Sequence, residues 1–141
     1  MSRTVRLVAS LVLGLAPGLS TGCGSGGGLM ATDSREEARQ GMLKDVGELF
    51  RVRSLDKPTP PSSASDFARY EAAWPNGMKR VKDGGVVVVW GASLQDGASD
   101  KVLAFEKGVP ESGGYVLMQD GTTVRNMSAD QFQAAPKAAG K

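Results

Sequence analysis

The sequence predicts an α+β fold, with an N-terminal amphipathic helix and a short second helix packed on a four- or five-stranded antiparallel meander. Three observations support this prediction. Apolar residues recur at spacings of three and four between residues 32 and 57, the period changes after Met78, and Asp-Gly pairs separate the later apolar runs. Helices and strands differ in this period, and Asp-Gly between two apolar runs favours a hairpin.

The length and charge of the chain set limits on its organisation and partners. Its 141 residues suffice for one small domain. The net charge is only +2 and the basic residues are scattered among acids, so no footprint for nucleic acid is present. We expect four parts: a signal peptide (1–22), a glycine-rich tether (23–31), an α+β head domain (32–135) and a flexible tail (136–141).

The first 22 residues have the three regions of a signal peptide. Two arginines lie within residues 1–6, residues 7–19 are mostly apolar, and small residues then lead to Cys23. The apolar run is shorter than the roughly 20 residues that a membrane-spanning helix needs. The pattern therefore predicts export.

The segment "LSTGC" resembles the lipobox of bacterial lipoproteins, although Ser20 occupies the position that usually holds a large aliphatic residue. The resemblance implies cleavage before Cys23, lipidation of its thiol and acylation of the new amino terminus with chains such as palmitate. The residue after the cysteine is Gly24 and not aspartate. By the same resemblance, this implies sorting to the outer membrane, facing the periplasm. The alternative is an ordinary secreted chain with an unpaired thiol, which lipidation would consume. Gly24–Gly28 then serves as a flexible tether.

The first helix is predicted to begin with a capping box at Asp33 or Ser34. Two glycines, Gly41 and Gly47, weaken it, so it must pack against another part of the chain. One face carries the apolar residues Met42, Val46, Leu49 and Phe50.

The sequence "PTPPSS" after Lys57 ends the first helix and forms a linker or a rigid turn. Ser63 or Ser65 then caps a short second helix, and "WPNG" stops it with a turn. One face of this helix is predicted to carry Phe67, Tyr70, Glu71 and Trp74.

The sheet is predicted to start with two strands, in the segments 78–82 and 86–94, joined by a hairpin turn at Asp83–Gly85. Because residues 86–90 have no polar face, this strand is expected to be central and covered by helices. The segment 101–107 supplies the next strand.

A second hairpin is predicted where 113–119 and 122–127 flank Asp120 and Gly121. Ser128 with Gln131 then forms a capping box for a last short helix, in which Phe132 covers the sheet edge. The tail is expected to hold no core residue and to fray.

Residues 102–133, "VLAFEKGVPESGGYVLMQDGTTVRNMSADQFQ", resemble the C-terminal end of the pseudopilin-like proteins of planctomycete bacteria. In that family a "YEK"-like triplet leads through a glycine-rich loop to "NVLFADGHV" and a closing "S-x-E-E-F"-like helix. Pro110 occupies the position of the family histidine, and a lipobox replaces the prepilin motif. The resemblance implies a pseudopilin-like head on a small planctomycete-type lipoprotein, with Leu49 and Phe50 buried against Val87 or Val89.

No catalytic, cofactor-binding or metal-ligating residue is predicted. The chain contains no histidine to act as a base, and its one cysteine precedes the tether. Asp83 and Asp120 are better explained by their turns than by catalysis. Glu106 and Lys107 are expected to face water. The carboxylates that could in principle act as an acid and base or bind calcium are Glu71, Asp83, Glu106, Glu111 and Asp120.

The aromatic residues are predicted to lie mostly in the core, and Trp74 and Tyr115, which lie beside turns, are the candidates for a contact surface. We expect a non-enzymatic, membrane-tethered envelope lipoprotein that makes protein contacts. The alternative is a lipoprotein that binds a sugar or a peptide, and an enzyme ranks third. Protein contacts predict an exposed apolar patch on a sheet face or edge, whereas a ligand predicts a concave pocket with convergent polar groups.

Overall fold

The computed structural model describes residues 28–140, and the side chains from Thr32 onward. The predicted signal peptide and Cys23 lie outside the described residues. Five helical segments occur in the described part: α1 (Gly28–Asp56), a 3₁₀ helix (Ala64–Tyr70), α2 (Pro75–Lys82), α3 (Val109–Ser112) and α4 (Ala129–Ala134).

The sheet is an antiparallel meander of four strands in the order β1-β2-β3-β4. The strands are β1 (Val86–Val88), β2 (Val102–Glu106), β3 (Gly114–Met118) and β4 (Val124–Met127). The register between β2 and β3 shifts between Val102 and Ala104, so Leu103 and Ala104 both contribute to the core under α1. The predicted α+β class, with a meander and helices before it, is confirmed.

α1 lies across one face of the sheet through its buried side chains Leu43, Val46, Leu49 and Phe50. Met42, predicted on this face, is only half-buried, and Leu43 takes the core position. The helix begins at Gly28, so the predicted start at Asp33 or Ser34 is wrong and the last residues of the predicted tether are helical.

The second helix begins at Ala64 with Ser63 as its N-cap, one of the two caps predicted, and its capping box uses Asp66. The Asp66 carboxylate accepts hydrogen bonds from the Ser62 and Ser63 N–H groups at 2.7 and 3.3 Å, which lower the pKa of Asp66. The helix is 3₁₀ and buries Phe67, whose ring centroid lies 5.1 Å from that of Phe50. The cap therefore fixes an aromatic contact between this helix and α1.

Residues 78–82 form the end of α2, so the predicted first strand and its hairpin are wrong. Pro75 begins this helix, because proline at the first helical position loses no hydrogen bond. Met78 and Val81 are both buried, at helical spacing. Gly84, with φ of +72°, follows the C-cap residue Asp83, and Gly85 connects it to β1.

β1 is an edge strand, so its predicted central position is also wrong. Val86 and Val88 face the core under α1, whereas the side chain of Val87 is 38% exposed. A run of valines hides this alternation, because the same residue type occupies both faces. Leu49 and Phe50 are buried as expected, and Val89, but not Val87, packs against their core.

The second face of the sheet has a core of its own beneath α3 and α4. Its buried residues are Val102, Val109, Val116, Met118 and Phe132. The capping box of Ser128 and Gln131 is confirmed and begins α4. The ring of Phe132 lies 4.6 Å from that of Phe105, so this residue packs against the sheet face instead of only covering an edge.

The tail is paired with the sheet, so the expectation that it holds no core residue is wrong. The Val102 N–H donates to the Pro136 carbonyl at 2.9 Å, and the Ala138 N–H donates to the Val102 carbonyl at 2.8 Å. Ala138 is buried. Because β1 spans only three residues, the tail supplies partners for backbone groups of β2 that β1 does not reach.

The hairpin at Asp120 and Gly121 is confirmed. The Asp120 carboxylate accepts hydrogen bonds from the Thr122 and Thr123 N–H groups at 3.0 and 2.9 Å, and Gly121 has φ of +73°. α1 packs on this turn backbone to backbone, because a Cβ on Gly47 would overlap the Gly121 carbonyl oxygen. Gly47, which weakens the helix locally, is thus required by its packing.

Candidate functional site

Trp74 and Tyr115, the two residues predicted for a contact surface, do not form a shared exposed surface. Trp74 is half-buried at the N-cap of α2 and packs against the core under α1. Tyr115 is only 6% exposed and belongs to the same core, so its prediction as a contact residue is wrong. Cys23 lies outside the described residues.

Tyr115 is buried because β3 places it beneath α1. The Arg39 guanidinium lies 5.0 Å from the centroid of its ring. Arg39 also donates from Nε and Nη2 to the two carboxylate oxygens of Glu106 at 2.7 and 2.5 Å, and the Tyr115 N–H donates to Glu106 at 2.9 Å. The expectation that Glu106 faces water is therefore wrong.

This arrangement predicts a pH-dependent contribution to stability. Burial would raise the pKa of Glu106, but the hydrogen bonds from Arg39 and Tyr115 outweigh it, and the net pKa lies below its usual range. A carboxyl with a lowered folded-state pKa stabilises the fold above its unfolded pKa, about 4.3, and this contribution is lost as the pH falls below that value.

Glu106→Gln should therefore lower the free energy of unfolding at neutral pH by about 1 kcal/mol. The loss is modest because Arg39 is partly exposed, so that solvent screens the ion pair. The difference from the unsubstituted chain should shrink as the pH falls below about 4.3. Urea unfolding at several pH values measures it. A difference that stayed constant across this range would contradict the assignment.

A groove of about 630 Å³ lies at the end of the domain where α1 ends. This volume is within the range of about 300–1,000 Å³ that small-ligand sites occupy. Four segments form it: the last turns of α1, the proline segment (58–61), the loop 93–97 and the β3–β4 turn. Its lining includes Arg51, Leu55, Pro58, Pro60, Asp96 and Asp120.

The wall of the groove at the proline segment is held in place by Arg53 and Pro61. Arg53 is 4% exposed and donates to the Lys57 carbonyl at 3.0 Å and to the Thr59 hydroxyl at 3.4 Å. The Pro61 carbonyl accepts a hydrogen bond from Gly91 at 2.8 Å. These contacts tie the segment both to α1 and to the chain after β1, so the groove is preformed.

The groove combines charges of both signs with an exposed apolar side chain. Leu55 is 83% exposed at its rim. Arg51 lies on the α1 side, where its Nε is 3.5 Å from Glu48 and has no hydrogen-bond partner within the described residues. Asp96 and Asp120 line the groove from other segments. Burial would raise the pKa of Asp120, but hydrogen bonds from Thr123 and Thr122 lower it below its usual range.

A smaller hollow of about 220 Å³ adjoins this groove. Its lining includes Trp90, Ser62 and Gly91 and shares Thr59 and Pro60 with the groove. The proline segment therefore separates two concave surfaces. Trp90, which lines the smaller hollow, also packs against the core under α1.

The candidate carboxylates are not brought together. Glu71 accepts a hydrogen bond from Lys82 at 2.6 Å, Asp83 caps the Gly85 N–H at 2.8 Å, and Asp120 caps its own turn. Glu111 is exposed on α3. Within residues 28–140, no group of three or more His, Cys, Asp or Glu side chains could hold a metal ion.

In the described part, no helix is both long enough and apolar enough to span a bilayer. Comparison with protein-family models, with curated proteins and with solved structures finds no match to this chain. The resemblance to pseudopilin-like heads thus stays a prediction.

The groove was not predicted, because its walls come from four segments that are distant in sequence. The proline segment was assigned only a connecting role, and Arg53 was not singled out. The sequence shows only an arginine one turn before a proline-rich segment, and the burial of Arg53, which lets it hold the wall, depends on tertiary packing.

Proposed function

We propose that this chain is a non-enzymatic lipoprotein, anchored through acylated Cys23 to the outer membrane and facing the periplasm, and that its head binds an extended peptide segment of another envelope protein. The observation that carries the proposal is the preformed groove at the end of α1. The anchor and the export are supported by the lipobox-like sequence before Cys23.

The chemistry of the groove favours a peptide. Its rim offers an apolar contact at Leu55, and its walls offer Arg51 on one side and Asp96 on another. Pro58 and Pro60 line the groove and have no backbone N–H, so at these two residues the backbone can only accept hydrogen bonds, and a peptide backbone has N–H groups to donate. A peptide supplies apolar side chains, charges of both signs and backbone donors at once.

The position of the groove suits a tethered protein. The chain enters the head from the tether at the start of α1, and the groove lies at the other end of this helix. Arg39 and Leu55 are 16 residues apart, which corresponds to about 24 Å along the helix axis. An anchor at Cys23 would therefore leave the groove open to partners on the side away from the membrane.

Sugar binding is the second candidate, and the hollow beside Trp90 favours it. An indole ring next to polar groups is a surface on which a sugar ring could stack. The hollow, at about 220 Å³, is smaller than the groove, so it would accept one ring at most.

The anchor is tested with Cys23→Ala. Expressed in a bacterial host, the unsubstituted chain should appear in the membrane fraction with the mass of a chain that starts at Cys23 and carries two or three acyl groups. The variant should lack the acyl mass and leave this fraction. Finding an unmodified, cleaved and soluble native chain would refute the anchor and leave a diffusible binder.

The groove is tested by photo-crosslinking in cells, with the reactive residue placed at Leu55 or, as a control, at Asp130 on α4. Crosslinks at Leu55 should map to one peptide segment of an envelope protein, and the synthetic segment should bind the purified chain. Leu55→Glu should weaken this binding about tenfold by removing an apolar contact and adding a charge, whereas Asp130→Ala should not.

Two results would count against peptide binding. One is crosslinking at Leu55 that matches the control position in both yield and partners. The other is binding of cell-wall sugar fragments that Trp90→Ala abolishes and Leu55→Glu leaves unchanged. That result would establish the sugar candidate.

A further inference from the structure

We propose that a second site, at the opposite end of the head, binds the phosphate of an anionic phospholipid headgroup at the membrane surface. The site is a cleft of about 380 Å³, and its charged or polar lining residues are Arg39, Arg80, Glu106, Lys107 and Ser112. The choice of a lipid as the source of the phosphate rests on the proposed anchoring through Cys23.

The cleft brings together three cations from separate elements. Arg39 comes from α1, Arg80 from α2, and Lys107 follows β2. Lys107 is exposed and forms no ion pair within the described residues. Two carboxylates offset part of this charge: Glu106 within the cleft, and Asp83, whose Oδ2 lies 3.5 Å from Nη1 of Arg80. Glu36 also acts electrostatically on Arg39, but neither Glu36 nor Asp83 lines the cleft, so the lining residues themselves keep a net positive charge.

Two glycines make room for the guanidinium groups. The Arg80 guanidinium lies where a side chain on Gly85 would be, since a Cβ there would be 2.7 Å from Nη1 and Nη2 of Arg80. A Cβ on Gly114 would similarly lie 2.9 Å from Glu106 Oε2 and 3.2 Å from Arg39 Nη2. Because the backbone makes this space, both arginines are positioned before any ligand arrives.

Both arginines retain donors that the described residues do not satisfy. The hydrogen bonds of Arg39 to Glu106 use Nε and Nη2, which leaves Nη1 without an acceptor in the described part. Nε of Arg80 is buried and has no hydrogen-bond partner there. A phosphate, with several acceptor oxygens and a negative charge, satisfies such donors better than a neutral ligand does.

The cleft lies at the end of the head that faces the tether. Arg39 is 11 residues after Gly28, about 16 Å along α1, and the side chains from Thr32 to Ala38 between them are exposed. The groove is on the far side, near Leu55. A lipid-anchored chain would thus bring this cleft, and not the groove, towards the headgroups.

The test uses residues 24–141, which contain all the core residues found in the described part of the chain and lack the anchor. This chain is mixed with vesicles of phosphatidylcholine alone, or of phosphatidylcholine with phosphatidylglycerol, and bound protein is measured by flotation. We expect binding only to the anionic vesicles, weakened by salt. The double variant Arg80→Gln with Lys107→Gln should reduce this binding about tenfold or more.

The charge-matched control is Lys44→Gln with Arg125→Gln, which removes two exposed cations outside the cleft. It should reduce binding about twofold or less. Equal losses of vesicle binding in the two double variants would refute the site, because binding would then depend only on the net charge of the protein. If the Arg80 substitution prevents folding, Lys107→Gln alone is used. Its loss of vesicle binding should still be larger than that of the single variant Lys44→Gln.

A titration with inorganic phosphate, followed through the NMR signal of the Arg80 Nε–H, separates the two sources of phosphate. A shift of this signal with phosphate, without binding to vesicles, would refute a lipid as the source of the phosphate and indicate a soluble phosphate compound. No response to either would overturn the site. Because the chain tested lacks Cys23, these outcomes are independent of the acyl-mass measurement that decides the anchor.

Discussion

Gly47→Ala is expected to lower the free energy of unfolding by about 2–3 kcal/mol or more, although alanine is the better helix former. The new Cβ would overlap the carbonyl oxygen of Gly121 and lie 2.9 Å from its carbonyl carbon. Both atoms belong to the backbone of a turn that Asp120 holds with two N–H hydrogen bonds, so neither side can yield without moving an element.

Gly41→Ala is the matched control, since it makes the same change in the same helix. A Cβ on Gly41 meets no atom within 4 Å. This variant should therefore gain up to about 1 kcal/mol from helix propensity alone. Urea unfolding of both variants measures the contrast. If Gly47→Ala were as stable as Gly41→Ala, the backbone contact between α1 and the β3–β4 turn would be refuted.

The contrast also shows why Gly47 could be interpreted only in part from the sequence. A glycine in a helical pattern indicates a local weakness, and that much is visible in the residue itself. The reason for it is a turn more than 70 residues further along the chain, at Gly121. Local features such as the Ser128–Gln131 capping box and the Asp120–Gly121 hairpin were predictable because all of their determinants are adjacent in sequence.

The two errors in the sheet have different physical causes. Residues 78–82 contain Met78 and Val81 at a spacing of three, but the neighbouring Gly84 and Gly85 suggested a hairpin. Pro75 at the start of α2 was the stronger signal. At Val87, the valine run concealed an exposed position, because which face of an edge strand remains uncovered depends on where α3 and α4 pack.

The candidate sites depend still more on tertiary structure. The groove requires Arg53 to hold the proline segment, and the cleft requires Gly85 and Gly114 to admit two guanidinium groups. Each of these residues has an ordinary local explanation as a helix cation or a turn glycine. Only the packing of distant segments reveals the second role.

Phe67→Ala should cost about 3–5 kcal/mol, among the largest losses expected for a single substitution in this domain. The side chain is fully buried, and its ring centroid lies 5.1 Å from that of Phe50 and 5.8 Å from that of Trp90. Removing it leaves a cavity between α1, the 3₁₀ helix and the chain after β1. Small domains have only about 5–15 kcal/mol of stability in total, so the variant would be close to unfolding at ambient temperature.

Phe67→Leu separates the loss of volume from the loss of the aromatic contacts. It keeps an apolar side chain of nearly sufficient size, and we expect it to recover more than half of the deficit. Thermal unfolding of both variants measures this difference. A loss below about 1 kcal/mol for Phe67→Ala would contradict the burial of this ring.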